Sequence, residues 1–347
     1  MAAEPTSGGT STSGGTVTSG GTALILGVGG QDGGYLAQHL LSLGYRVVGT
    51  SRDAAASRFD GLQMLGIRDQ VDLVSMSLVD FRSTMQVISR FEPDEIYNLA
   101  GQTSVGLSFE QPVETFESII VGTVNLLETI RMLNRPIRLY NAGSSEMFGN
   151  TGGEAANEET ILRPRSPYAI AKATSFWQVA QYREAYGIHA ATGILFNHES
   201  PLRPERFVTQ KVVAAACRIA TGEQQQLTLG DLSIARDWGW APEYVVAMRR
   251  MLAADRPEDF VIATGYTATL EAFVAEVFAA VGLDWRQHVE HDPALRRPTE
   301  IDCGRGDPAK AAARLSWRAT VRMPEVARRM VAARLANAAH AEVRRAA

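Results

Sequence analysis

Hydrophobic positions first gather at Ala23-Leu24-Ile25-Leu26, a short apolar run closed by glycines. Tyr35-Leu36-Ala37 with Leu40 and Leu41 repeats at helical spacing, and Arg46-Val47-Val48-Gly49 reads as a second strand. Val71-Asp72-Leu73-Val74 gives a third strand, helical spacing returns from Arg82 to Arg90, and Glu95 to Ala100 gives a fourth strand. Thr115 to Met132 carries apolar residues at i, i+3 and i+4, which predicts one long helix, and Ile137-Arg138-Leu139-Tyr140 a fifth strand. Short apolar strands alternating with amphipathic helices pair in parallel through right-handed crossovers. The pattern predicts an α/β chain with a doubly wound parallel sheet over residues 22–195. After Leu195 the alternation loosens and Pro, Arg and Trp become frequent. We place there, over residues 196–347, a smaller C-terminal lobe for substrate, with some segments returning to the sheet. Helix is expected again from Thr269 to Val281 and after Pro324.

Residues 1–21 stand apart. S-G-G-T recurs from Ser7, Ser13 and Ser19, and such a tract has too little apolar surface to offset its ordering entropy, which predicts a disordered tail. The tract has no Lys or Arg and no apolar centre, so it does not read as a signal peptide. No apolar run reaches the roughly 18 residues a membrane span needs, and a cytoplasmic location is expected. The chain of 347 residues is 45% hydrophobic, so burial does not limit it, and its net charge of −4 argues against nucleic-acid or anionic-membrane partners. Arg far outnumbers Lys, and its planar fork suits a diphosphate if cations are focused locally. Cys217 and Cys303 lack C-x-x-C spacing and the six histidines form no H-E-x-x-H, so neither a disulfide nor a metal site is expected.

Chemistry enters with Gly27-x-x-Gly30-x-x-Gly33, which follows the first strand and opens a helix. Missing side chains there permit a tight turn and let a pyrophosphate approach the positive helix N-terminus, as in a Rossmann-type dinucleotide site. Ser51-Arg52-Asp53 follows the second strand. Arg there favours the 2′-phosphate of NADP, Asp the ribose hydroxyl of NAD, and both residues occur.

Tyr168-Ala169-Ile170-Ala171-Lys172 follows Ser166-Pro167, a helix-start signal. At i and i+4 the phenol and the ammonium share a face, where the ammonium is expected to lower the Tyr168 pKa toward proton abstraction. Ala142-Gly143-Ser144-Ser145-Glu146 follows the fifth strand, at the edge where open α/β sheets place reactive groups. A hydroxyl there can hold a substrate hydroxyl beside the tyrosine. Simple alcohol oxidation needs no carboxylate at this point, whereas elimination does: a ketone acidifies the neighbouring carbon, and a base must take that proton while hydroxide leaves.

With these elements in order, the chain resembles the extended short-chain dehydrogenase/reductases, and within them the GDP-mannose 4,6-dehydratase family. The likeness spans nearly all of residues 23–335. It is carried by Gly30-Gln31-Asp32-Gly33, Asn98-Leu99-Ala100-Gly101-Gln102, Ser166 to Lys172 and Phe207-Val208-Thr209-Gln210-Lys211. The narrowest stretches are Asn197-His198-Glu199-Ser200-Pro201 and Arg236-Asp237-Trp238-Gly239. The resemblance implies Tyr168 as base, Lys172 as its partner on the cofactor ribose, Ser144 as the substrate hydroxyl's holder and Glu146 as proton shuttle. It implies an NADP site (NAD second) over Gly27, Gly30, Gln31, Asp32, Gly33, Arg52, Ser77, Leu78, Leu99, Ala100, Gly101, Gln102, Thr103, Tyr168, Lys172, His198 and Arg203. Ser104, Ser145, Glu146, Asn197, Val208, Lys211, Arg236, Arg297 and Glu300 fall where the family holds a GDP-sugar. The chain departs from the family pattern at Asp53, where a second Arg is usual, at Ser77 for Asp, at Ser144 for Thr and at Pro204 for Gly, and its segment before Arg297 is short.

The implied reaction oxidises C4 of GDP-mannose, eliminates water across C5 and C6, and returns the hydride to C6. A reductase of a GDP-4-keto-6-deoxy-hexose, or a dehydratase of another GDP-sugar such as a GDP-heptose, are the alternatives. The family also implies a homodimer or homotetramer.

Overall fold

The computed structural model describes residues 20–295 and 298–346. The predicted tail, apart from Gly20 and Gly21, lies outside them. Thirteen strands are present among the described residues: β1 Thr22–Leu26, β2 Arg46–Ser51, β3 Asp72–Ser75, β4 Glu95–Asn98, β5 Arg138–Ala142, β6 Ala190–Leu195, β7 Asn197–Glu199, β8 Leu227–Leu229, β9 Ala235–Trp240, β10 Phe260–Ile262, β11 Thr267–Thr269, β12 Val289–His291 and β13 Cys303–Gly304. Seven of them form one parallel sheet in the order β3-β2-β1-β4-β5-β6-β10. Strand order reverses between β1 and β4, and a crevice opens at the carboxyl ends of such strands.

β1 shows why the apolar runs make this sheet. Successive side chains point to opposite faces, so Ala23 and Ile25 enter one core with Leu36, Leu40, Tyr244, Met248 and Trp317. Leu24 and Leu26 enter the other with Val48, Ile96, Leu126, Ile130 and Leu139. A strand buried on both faces must be apolar throughout. The chain returns to this sheet after Leu195: β10 pairs with β6, and helix Ala241–Ala253 supplies Tyr244 and Met248 to the first core. The predicted long helix from Thr115 is instead helix Pro112–Phe116, a π-helical turn Glu117–Val121 and helix Gly122–Leu133. The joints keep right-handed helical dihedrals, so one rod carries a widened turn.

The lobe is built on β11-β9-β13, with β7 also paired to β9, and on the pair β8–β12. Its core packs Val212, Val213 and Ala216 of helix Val208–Ala220 against Trp238, Phe273, Phe278 and Met330. Among the described residues, no helix is long and apolar enough to cross a membrane.

Candidate active site

β5 ends at Ala142, and Ser144 caps the short 3₁₀ turn Ser145–Phe148, its Oγ accepting the Glu146 N–H at 3.3 Å. A Cβ on Gly143 would stand 2.8 Å from Thr192 Cγ2 and 3.0 Å from the Gly193 carbonyl oxygen, so only glycine lets the chain leave the sheet so close to β6. Across the crevice, helix Pro167–Tyr186 starts with Pro in its first turn, and Ser166 Oγ accepts the Ala169 N–H at 3.1 Å. Helical spacing then puts Tyr168 and Lys172 on one buried face. The Tyr168 phenol shares a hydrogen bond with the Ser144 side chain and feels the Glu146 charge. Lys172 Nζ donates to the Ala142 carbonyl at 2.7 Å and lies 5.8 Å from the Tyr168 ring centroid. Ser144, Glu146, Tyr168 and Lys172 are thus brought together at the carboxyl end of β5.

The electrostatics differ from the expectation that the ammonium would lower the phenol. Burial dominates and, with the Glu146 and Asp32 charges, pushes Tyr168 up to about 12 against the opposing Ser144 hydrogen bond and Arg203. Burial also brings Lys172 down to about 8, against the opposing charge of Asp32.

The glycine loop is shaped by backbone approach. Gly27 has φ +82°, and a Cβ on it would meet the Leu99 carbonyl and Ala100 Cα at 3.1 Å. A Cβ on Gly33 would meet the Gly27 carbonyl at 2.5 Å and Val28 Cα at 2.6 Å, which fixes how the helix sits on β1. Helix Gln31–Ser42 begins after Gly30 with no side-chain cap, so no side chain of its own satisfies its first N–H groups. Asp32 lies half-buried against His198, whose Nε2 lies 2.9 Å from its carboxylate, and Gln31 Nε2 donates to the His198 carbonyl at 3.0 Å. The other His198 nitrogen, Nδ1, lies 2.7 Å from the Phe196 carbonyl. Both ring nitrogens therefore face protein acceptors, and the ring is engaged within the protein at both ends. Arg203 pairs with Glu199 at 3.2 Å and lies 3.7 Å over the Phe207 ring.

Beyond β2, Arg52 is exposed and 3.4 Å from Glu114. Asp53 Oδ1 accepts the N–H groups of Ala55 and Ala56, both at 3.0 Å, and so closes its own turn. The Ser77 N–H donates to Ser83 Oγ at 3.1 Å and the Leu78 carbonyl accepts from Asn125 at 2.8 Å. Leu99 and Ala100 form the wall under Gly27, Gly101 turns with φ +128°, and the Gln102 amide donates to the Ser104 carbonyl at 2.8 Å, across Thr103.

On the substrate side, Ser145, Glu146 and Arg236 line one cleft, floored by Phe148 and Phe196. Arg236 is buried, 3.0 Å from the Glu300 carboxylate and 2.7 Å from the Ile301 carbonyl. Ser104, Asn197, Val208 and Lys211 do not line that cleft: Ser104 Oγ caps helix Val105–Glu110, and Lys211 Nζ donates to the Thr228 carbonyl at 2.8 Å. Asn197 pairs with Trp238 across β7 and β9, and Val208 opens its helix. Arg297 lies outside the described residues. Thr151 and Arg305, which the sequence reading missed, line the cleft with Glu146; neither belongs to a recognisable motif, and only the fold brings them there.

The Arg-Asp-Trp-Gly stretch divides its labour by position. Arg236 lines the cleft, and Asp237 accepts the N–H groups of Thr264 and Gly265 at 2.9 and 2.8 Å, tying β9 to the loop after β10. Burial pushes the Asp237 carboxyl up to about 6 even against those hydrogen bonds. Trp238 packs on Phe273, and Gly239 leaves room for Tyr244, whose ring a Cβ would strike at 2.4 Å. Among the described residues, no group of His, Cys, Asp or Glu could hold a metal ion.

A family model described as GDP-mannose 4,6 dehydratase matches residues 24–330. GDP-mannose 4,6 dehydratase 1 of Arabidopsis thaliana is 42% identical over 321 residues, 89% of this chain and 88% of that protein. GDP-mannose 4,6-dehydratase of Sinorhizobium fredii (strain HH103) is 41% identical over 334 residues, 89% of this chain and 95% of that protein. Among solved structures, the UDP-glucose 4-epimerase of Thermus thermophilus in complex with NAD superposes with a TM-score of 0.79 at 26% identity, over 89% of this chain and 97% of that one.

Proposed function

We infer that this chain, which belongs to the GDP-mannose 4,6-dehydratase family, is itself a GDP-mannose 4,6-dehydratase, converting GDP-mannose to GDP-4-keto-6-deoxymannose. The observation that carries the mechanism is the meeting of a hydroxyl, a phenol, an ammonium and a carboxylate at the end of β5. Ser144 orients the C4 hydroxyl, and Tyr168 takes its proton. Lys172, with a pKa near 8, is charged at neutral pH and holds positive charge beside the phenol. Once C4 is a ketone, the C5 hydrogen is acidic; Glu146 removes it and passes a proton to the departing C6 hydroxyl, and the proton that Tyr168 took from the C4 hydroxyl goes to C5 at the end, which restores the phenolate. A nicotinamide dinucleotide held at the glycine loop would supply the hydride acceptor for C4 and the hydride donor for C6.

The chain's own residues fit such a dinucleotide. A Cβ would fill the space at Gly27 and Gly33, and the helix that follows starts uncapped. NADP is the reading favoured over NAD, because the Asp53 carboxylate is turned into its own loop while Arg52 stands exposed at the end of β2. Arg236 and Glu300 would hold the GDP-sugar, the guanidinium toward the diphosphate. Two or more copies would assemble through the helices that expose Val113, Val121, Ile170 and Trp177, and the cytoplasm remains the expected compartment.

Incubation of purified protein with GDP-mannose and catalytic NADP tests the reading. Loss of one water from the sugar with no net NADPH formed is expected. NADPH formed in step with the sugar would make it a simple dehydrogenase, and an inert GDP-mannose beside NADPH-dependent reduction of a GDP-4-keto-6-deoxy-hexose would make it a reductase.

A further inference from the structure

The Asp32–His198 contact joins the glycine loop to β7, the strand that pairs with the Arg236-bearing β9. The imidazole is buried, with Nδ1 at 2.7 Å from the Phe196 carbonyl and Nε2 at 2.9 Å from the Asp32 carboxylate. A backbone carbonyl and an ionised carboxylate only accept hydrogen bonds. A neutral imidazole has one N–H and can satisfy one of them, whereas the imidazolium satisfies both. The surroundings hold the ring in this orientation: Tyr244 of helix Ala241–Ala253 stacks on it with centroids 4.4 Å apart. Gln31 is tied into the same junction by the His198 carbonyl at 3.0 Å and by Ser200 Oγ at 2.8 Å.

We propose that the His198 imidazolium is a latch: by gripping Asp32, it positions the start of helix Gln31–Ser42 to receive the dinucleotide's pyrophosphate, and it does so from the lobe that holds the nucleotide sugar. The Asp32 and His198 side chains thus act as positioning groups, since the imidazole nitrogens are already committed. The inference rests on the glycine loop being a nicotinamide-dinucleotide site.

The charged and titratable groups around the ring agree with a standing proton. Burial alone would lower the His198 pKa and Arg203 lowers it further, but Asp32 and the Phe196 carbonyl outweigh both, so it is raised. The Asp32 charge also reaches Tyr168 and Lys172 of helix Pro167–Tyr186, and Glu199, next in the chain, is held by Arg203 and by Thr209 at 2.8 Å. As pH rises through the raised His198 pKa the proton leaves, the bare Nε2 faces a carboxylate, and the latch opens. Dinucleotide affinity is therefore full on the acid side of that pKa and is lost on its alkaline side.

The test is NADPH binding, read by its fluorescence, for wild type, Asp32→Asn, His198→Gln and the double variant between about pH 6 and pH 9.5. Either single change is expected to weaken binding about tenfold, the double change no more than either alone, and the alkaline loss is expected to shrink in His198→Gln to the part owed to Lys172, whose ammonium is brought down to about 8. Effects that multiply to about a hundredfold would mean two independent contacts and would overturn the latch, as would an alkaline loss as large in His198→Gln as in the wild type. A wild type that binds neither NADPH nor NADH overturns the dinucleotide site itself, and the latch with it. Should a variant fail to fold, ¹⁵N spectra of the wild type decide: the imidazole in contact with the Tyr244 ring must carry protons on both nitrogens at pH 6, and a single N–H there refutes the proposal.

Discussion

Replacing Lys172 with Met separates stability from catalysis. Burial brings this ammonium from 10.5 down to about 8. That gap of about 2.5 pH units, at about 1.36 kcal/mol each, is about 3 kcal/mol by which the folded chain disfavours the charged side chain. The unfolded chain keeps the proton up to roughly pH 10.4 and the folded chain only to about 8, so the unfolded state binds more protons between those values and stability rises with pH across them. Below pH 8 the wild type carries the whole penalty. Methionine removes it, but leaves the Ala142 carbonyl without its 2.7 Å donor, a loss of about 1–3 kcal/mol. Lys172→Met should therefore be as stable as the wild type at pH 7, or up to about 2 kcal/mol more so, while losing dehydratase activity. Near pH 10.5, where the penalty has gone, it should be the less stable by about 1–3 kcal/mol. Urea unfolding of both proteins at pH 7, 8, 9 and 10, with no dinucleotide added, measures the difference and cancels every other titrating group. A swing of about 3 kcal/mol toward the wild type is expected. A flat difference, or a variant clearly weaker at pH 7, would refute the claim that burial rather than pairing governs this lysine.

Glu146→Gln keeps the side chain's size and removes the base, so the rate of water loss from GDP-mannose should fall by about 10²–10⁴-fold with NADPH affinity unchanged, as mass spectrometry and fluorescence titration would show. Gly33→Ala places a methyl 2.5 Å from the Gly27 carbonyl and 2.6 Å from Val28 Cα. Backbone atoms cannot step aside as a side-chain tip could, so a stability loss of about 1–3 kcal/mol, read by urea unfolding, should accompany weakened dinucleotide binding. Arg52→Ala should cut the preference for NADP over NAD by about tenfold or more in kcat/KM, the loss expected for one charge-assisted hydrogen bond to the 2′-phosphate.

The sheet was legible because burial on both faces favours near-continuous apolar runs, and β1 is one, while Val47-Val48, Ile96-Tyr97 and Leu139-Tyr140 centre β2, β4 and β5. β10, three residues set between loops, gave no comparable signal, and its place beside β6 depends on a partner some 65 residues away. The π-helical turn at Glu117–Val121 escaped notice because one extra residue per turn shifts the apolar stripe too little to break its spacing. In the site, Tyr168 and Lys172 could be paired from the sequence because both stand on one helix, four residues apart. Their pKa values could not, since spacing reports the neighbouring charge and is silent on depth.

Asp53 shows why residue type underdetermines a binding site. At the end of β2 an acid reads as a ribose partner, yet a carboxylate is also the best acceptor for the unpaired N–H groups of a tight turn. Ala55 and Ala56 follow within three residues and offer two such groups at no entropic cost of long-range assembly. The nearer donors win, and the residue that had argued for NAD becomes the scaffold of the loop that presents Arg52. His198 follows the same logic over 166 residues: its two nitrogens are taken by Phe196 and Asp32 before any ligand arrives. A polar group in a binding motif thus counts toward the ligand only after its protein partners have been subtracted. By that measure, the cleft chemistry rests on Tyr168, whose phenol meets the Ser144 hydroxyl, with the Glu146 carboxylate close enough to be felt.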